Sequence, residues 1–192
     1  MQELHDGAGI YITFCKRIVL RGNFVHDITD TGGFGASAYY LDEQAEGCLV
    51  ERNVARNVAW PSHNHMARKN TIRNNIFLAE GDMKLTFPRS SGYTFERDIL
   101  SATGTVFFSG VNAIAAMPSN VIFSAAGVVE VQDLRDYAER DRRPFEPREG
   151  TVLGDPLLVS PSERSYDFQP GAPALGIEPV LLDVPGLTGS QA

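Results

Sequence analysis

The sequence predicts an all-β chain wound as a parallel solenoid of about five coils, closed by a short C-terminal helix and an extended tail. Three observations predict it. Four segments align without gaps: IVLRGNFVHD from Ile18, CLVERNVARN from Cys48, NTIRNNIFLA from Asn70 and YTFERDILSA from Tyr93. They place Asn23, Asn53, Asn75 and Asp98 at one shared position, and Asn120 in the weaker copy SNVIFSA continues the series. The spacings are 30, 22, 23 and 22 residues, a period at which each coil buries its apolar face only by stacking on the next. Long helical periodicity is absent before residue 128.

The columns around the shared position set the expected faces. Leu20, Val50, Ile72 and Phe95 stand three residues before it, and Phe24, Val54, Ile76 and Ile99 one residue after it; both columns are expected to face inward. Arg21, Glu51, Arg73 and Glu96 stand two residues before it and are expected to face water, as the two-residue period of a strand demands. The Asn residues are expected to take the left-handed corner and bond to the next Asn in the stack. Leucine-rich repeats have a similar period but need Leu at fixed offsets and a helical piece in each unit, where these coils offer Val, Ile and Phe.

Residues 1–127 therefore read as coils, and residues 128–192 as a closing segment packed on the same solenoid. Within it VQDLRDYAERDRR places Val131, Leu134, Tyr137 and Ala138 on one helical face, a helix suited to capping the open end. From Pro144 onward eight prolines punctuate short apolar pieces, which predicts an extended tail running back along the coils. At the other end, GIYIT from Gly9 already reads as a strand of a full coil. An uncovered coil end exposes strand edges, so self-association through it is expected.

Composition narrows the function. A chain of 192 residues with 43% hydrophobic and 21% charged residues can bury a substantial core, which excludes intrinsic disorder. Seventeen Lys and Arg against 24 Asp and Glu give a net charge of −7 with no basic stripe, so nucleic acid is not an expected partner. No apolar run is long enough to cross a bilayer, and MQELHDGAGIYI is not a signal peptide. Cys15 and Cys48 match no zinc motif and sit among apolar neighbours, which predicts buried free thiols.

The stretch NFVHDITDTGGFGASAYYLDE, followed by VERNVARNV and NTIRNNIFL, resembles the right-handed parallel β-helix proteins of the pectate-lyase-like superfamily, in their glycoside hydrolase branch. The tail, DLRDYAERD and then DPLLVSPSERSYDFQPGAPALGIEP, is similar to the helix and closing segment of such enzymes, where a DPLF…SPAL signature recurs. The resemblance implies a polysaccharide substrate lying in a groove along the parallel sheet, with no cofactor. It also implies a secreted or periplasmic setting and further coils upstream, so that this chain corresponds to a C-terminal part.

Counting back from Ile18, Cys48 and Asn70 aligns a second sheet. Tyr11, Tyr40 and His63 fall in one outward column and Thr13, Asp42 and His65 in the next, while Ile10, Ile12, Tyr39 and Leu41 point inward. Ser62 and Asn64 are polar exceptions among the inward residues. With coils about 4.8 Å apart, Asp42 and His65 become neighbours, as do Tyr40 and His63. Aromatic faces for sugar rings, polar tips for hydroxyls and carboxylates for proton transfer are what a carbohydrate site needs. Lys84 and Thr86 of the next coil come close to the same face.

Glycoside hydrolysis uses two carboxyl groups, about 5–9.5 Å apart depending on stereochemistry. Asp42 is the first candidate, since Tyr40-Leu41-Asp42 matches the YLD stretch of the resembling enzymes. For the second, Glu43, Asp82, Asp30 and Glu80 are open. The Gly-rich insertion at residues 27–37 reads equally as a substrate loop carrying Asp27 or Asp30 and as a plain surface turn. Tyr40, His63, His65, Asp30, Lys84 and Arg89 are the expected substrate contacts. Asp42, Glu43, His63 and His65 could offer oxygen and nitrogen to a metal, but nothing forces four ligands around one ion, and no metal is expected. A polysaccharide lyase using Lys84, Arg89 and His65, or a non-catalytic carbohydrate-binding scaffold, are the alternative functions.

Overall fold

In a computed structural model the described residues are 6–29, 35–135, 138–139, 141–161 and 165–173. They form a parallel β-helix of about four turns. A seven-stranded sheet stacks β1 (Gly7–Ile12), β4 (Ala36–Leu41), β7 (Trp60–Asn64), β10 (Met83–Thr86), β13 (Val106–Ser109), β16 (Val129–Gln132) and β19 (Arg143–Pro144) in that order. A five-stranded sheet stacks β2 (Val19–Arg21), β5 (Leu49–Glu51), β8 (Thr71–Arg73), β11 (Tyr93–Glu96) and β14 (Ile114–Ala116). A six-stranded sheet stacks β3 (Phe24–Ile28), β6 (Val54–Val58), β9 (Ile76–Ala79), β12 (Ile99–Ala102), β15 (Val121–Ser124) and β20 (Val152–Leu153). Pairing along all three is parallel except at β16–β19. The turn count is slightly below the expected five. Among the described residues no helix is long and apolar enough to cross a membrane.

The repeated amides stack as expected. Asn23 donates its backbone N–H and its Nδ2 to Asn53 Oδ1, both at 2.9 Å; Asn53 does the same to Asn75, and Asn75 to Asp98. Asn120 ends the run on Thr151 Oγ1. The remaining Nδ2 hydrogens of Asn53, Asn75 and Asn120 reach the carbonyls of Leu20, Val50 and Phe95 in the coil before. The left-handed corner itself falls one residue earlier than expected. Gly22, Arg52, Asn74, Arg97, Ser119 and Gly150, each directly preceding a ladder residue, have φ between 52° and 76°.

That corner breaks the strand alternation, and one of the two predicted inward columns is corrected by it. Val50, Ile72 and Phe95 do lie in the main core. Val54, Ile76, Ile99 and Val121 instead lie in a second, separate cluster with Tyr166. They are on the outer face of the six-stranded sheet and are covered by the hairpin of β21 (Leu158–Ser160) and β22 (Ser165–Phe168). The tail thus runs back along the coils, as the prolines implied, and gives that outer apolar column its cover. The charged column points outward but is not all in water: Arg21 is exposed, whereas Glu51 is buried, held between Arg21 and Arg73, the latter at 2.7 Å.

The predicted helix over 129–143 is not formed at its described positions. Residues 129–132 are β16, Leu134–Arg135 (β17) pairs with Ala138–Glu139 (β18), and Arg143–Pro144 turns back antiparallel on β16. Residues 136, 137 and 140 are outside the described set. The unpaired edge of β13 supplies a ladder of hydrogen bonds that an amphipathic helix would leave unmade, so packing overrides the 3.6-residue pattern. The cap is Phe145, buried against Phe108 with ring centroids 6.1 Å apart.

Candidate functional site

The outward face of the seven-stranded sheet carries the candidate site. The register pairs Tyr11 with Tyr40, Tyr40 with His63 and Thr86 with His63, so the first predicted column holds and extends to Thr86 and Ser109. Tyr39 and Leu41 lie in the core, with Ile10 and Ile12 packed against it. Ser62 and Asn64 point inward and are buried; Asn64 Nδ2 donates to Ser62 Oγ at 2.9 Å and to the Thr86 carbonyl at 3.3 Å, while Asn64 Oδ1 has no hydrogen-bond partner among the described residues. The coil carrying Asp42 has one residue more than its neighbours in the turn that follows. The left-handed residues Phe14, Gln44 and Met66 mark equivalent corners, each two residues before the bridged residues Lys16, Glu46 and Arg68, and the extra residue is Glu43.

Asp42 sits at the centre. Its Oδ2 accepts from the Tyr11 hydroxyl at 2.6 Å and its Oδ1 from His65 Nδ1 at 2.7 Å. Burial pushes its carboxyl upward, but the Tyr11 and His65 hydrogen bonds outweigh this and hold it below the usual carboxylate range. The same bond to Asp42, reinforced by burial, raises the Tyr11 hydroxyl. His65 donates through Nδ1–H, so the carboxylate of Asp42 fixes which ring nitrogen faces it. The side chains are 15% and 20% exposed, enough to meet a ligand and little enough to be held in place.

The aromatic groups stack beside this pair. Tyr11 and Tyr40 meet edge to face at 5.0 Å, and Tyr40 and His63 at 4.3 Å. His63 on β7 and His65 just past its end have parallel rings 6.5 Å apart. His63 Nδ1 and Thr86 Oγ1 share a short hydrogen bond. Burial, with the nearby charges of His65 and Lys84, pulls the His63 imidazole down to about 4, although the Asp42 charge opposes it. His63 is therefore neutral near pH 7. Burial and the Asp42 and Asp6 charges raise the Tyr40 hydroxyl.

The nominated residues do not all converge. Lys84 lies with its Nζ 4.4 Å from the Trp60 ring centre, on the same face. Glu43 follows Asp42 in the turn and uses its backbone carbonyl to accept from Thr13 and Phe14. Arg89 is exposed in the turn after β10. Asp82 precedes β10 at the opposite end of the strands, on the order of 20 Å from Asp42 at about 3.3 Å per residue, and accepts from the Thr105 N–H. The structure therefore does not bring Asp82 to Asp42. Asp30, and most of the insertion around it, lies outside the described residues, as does His5. At its start, His26 donates to Asp27 at 2.7 Å and Asn57 to Asp27 at 2.8 Å, a corner on the six-stranded sheet.

Two residues of the strip were missed by sequence reasoning. Trp60 lies 5.9 Å from His63 by ring centres, and its ring packs where a Cβ on Gly35, at φ 77°, would stand 2.9 Å away. A lone Trp at a strand start beside a polar SHNH run was the available signal. The Asp6 charge reaches the Tyr40 hydroxyl and helps to raise it, and nothing in its sequence surroundings marked it. Among the described residues no three His, Cys, Asp or Glu side chains converge as a metal site would require. No protein-family model matches the chain, and neither curated proteins nor solved structures provide a match.

Proposed function

We propose that this protein is a carbohydrate-active β-helix, glycoside hydrolase-like as its sequence resemblance implies, which takes a polysaccharide along the outward face of the seven-stranded sheet and cleaves it with Asp42. The observation that carries this reading is the carboxylate of Asp42, gripped on both oxygens by Tyr11 and His65 beside the Tyr11–Tyr40–His63 stack. A carboxyl held below its usual range is ionised at neutral pH, so Asp42 is suited to be the base or nucleophile and not the acid. The proton for the leaving group then comes from another carboxyl. Glu43, next in the chain, and Asp6, whose charge reaches Tyr40, are the groups the site offers. The exposed Tyr11 and the half-buried Trp60 supply faces for sugar rings over the buried Tyr40 and His63, and Lys84 a cation over Trp60.

A second reading, a polysaccharide lyase, is favoured by one feature. Asp42 holds the His65 ring through Nδ1 on the same face as Lys84, so an imidazole to take the proton and a cation to neutralise a uronate carboxylate stand on one strip.

The test is incubation with a panel of neutral and uronic polysaccharides, following reducing ends and ultraviolet absorbance of unsaturated products. New reducing ends without absorbance support the hydrolase, and absorbance supports the lyase. Asp42→Asn should lower either activity by about 10²–10⁴-fold with an unchanged circular dichroism spectrum. Wild-type turnover in a folded D42N protein would overturn the role of Asp42. Binding without product across the panel would reassign the strip to a non-catalytic carbohydrate-binding scaffold.

A further inference from the structure

We propose that Cys15 and Cys48 are a redox pair: exchange with a small disulfide, such as glutathione disulfide, joins them and fastens the first coil to the second. The two Sγ atoms are 3.9 Å apart, in contact across adjacent coils. Cys48 is buried in the core and Cys15 is partly buried against it. Both backbones are already tied between coils, since the Cys15 carbonyl accepts from Glu46 N–H at 3.0 Å and the Cys48 N–H donates to Asn70 Oδ1 at 2.8 Å. Closure to the S–S bond length of about 2.05 Å thus asks for side-chain rotation against a backbone held in place.

The pair sits where a fastening would matter most. Among the described residues, β1, β2 and β3 are each hydrogen-bonded to one neighbouring strand. An edge coil of this kind opens locally at lower free energy than the coils behind it. Phe14, just before Cys15, is 65% exposed, so the segment gains little from burial on its own. This coil also carries Tyr11, whose hydroxyl holds Asp42. The disulfide would keep that hydroxyl in place, whatever reaction the strip performs.

The chemistry balances through two exchanges. The Cys15 thiolate attacks glutathione disulfide; a sulfur–sulfur bond to one glutathione forms as the original one breaks, and a glutathione thiolate leaves. Cys48 Sγ then attacks Cys15 Sγ and expels the second glutathione. The two cysteine protons end on the two released thiolates, so the protein loses two electrons and the reagent becomes two glutathione thiols. Burial, followed by the neighbouring Cys48, pushes the Cys15 thiol up to about 11, so little thiolate exists near pH 7 and the first step quickens as pH rises toward that value.

The experiment equilibrates the whole chain with reduced and oxidised glutathione at pH 8.5 and reads intact mass under denaturing, non-reducing conditions. The expected product is lighter than the reduced chain by two hydrogens and carries no glutathione. Its Tm rises by about 5–10 °C, and amide exchange across Gly7–Ile12 slows. Cys48→Ser should instead stop at one glutathione on Cys15, identified by peptide mapping. Two glutathiones on one wild-type chain, chains linked in pairs, or a reduced mass even under excess oxidised reagent would each overturn the pairing. Polysaccharide turnover is not part of the readout, so failure here is distinct from failure of the proposed activity.

Discussion

Replacing Asp98 by Asn should stabilise this protein, and the gain should grow with pH. Asn53, Asn75 and Asn120 each donate a second Nδ2 hydrogen to a carbonyl three residues before the ladder position of the previous coil, to Leu20, Val50 and Phe95 respectively. Thr151 keeps the rule through its hydroxyl, which donates to Met117 at 2.6 Å. At Asp98 the corresponding carbonyl is that of Ile72, and the atom set against it is Oδ2, fully buried and without a hydrogen-bond partner among the described residues. Burial raises the Asp98 carboxyl well above the usual range, despite the two bonds it accepts from Asn75.

Asn at position 98 would restore two donations, to Ile72 and to Asn120. At about 0.5–1.5 kcal/mol for each bond, and with an unsatisfied buried oxygen removed, the expected gain at pH 7 is about 2 kcal/mol, or roughly 4–8 °C in Tm for a chain of this size. The sign with pH follows from the raised carboxyl. The native contribution is fully present below the unfolded value near 3.9 and is lost as pH rises toward the folded one. The difference between D98N and wild type therefore widens from pH 4 to pH 7, and taking the difference cancels the other carboxylates. Urea denaturation at both pH values measures it. A variant no more stable than wild type, or a gain equal at both pH values, would refute the reasoning.

Two other outcomes follow from the packing. The His63 ring should titrate by NMR with a midpoint near 4; because this lies below the unfolded value near 6.5, its contribution is complete above pH 6.5 and lost as pH falls toward 4, and a midpoint at 6.5 would contradict its burial. Tyr166→Ala should cost about 3–5 kcal/mol in urea denaturation, because Tyr166 covers Val54, Ile76 and Ile99 from outside the coil; a loss below about 1 kcal/mol would mean that the hairpin does not bury them.

The repeat, the stacked amides and the Tyr11–Tyr40–His63 and Asp42–His65 columns were legible because in a parallel coil a fixed sequence offset becomes a fixed place in space. Offsets alone did not reveal which face a column takes after a corner. The left-handed residue before each ladder position resets the alternation, and Phe24, Val54, Ile76 and Ile99 turned outward because the hairpin from the tail was there to cover them. Nor did periodicity distinguish a helix over 129–143 from strands completing the end of a sheet, since the deciding partner, the open edge of β13, is remote in sequence.

By itself, then, the order of residues determined the winding of this chain and the company Asp42 keeps, because both rest on a repeat that is local and translational. Tertiary structure alone decided that Trp60 and Asp6 come near the strip, that Asp82 stands at the far end of the strands and that hydrogen bonds hold the Asp42 carboxyl below its usual range. Those outcomes depend on side-chain reach, burial and hydrogen-bond direction among residues brought together by folding, and no spacing encodes them.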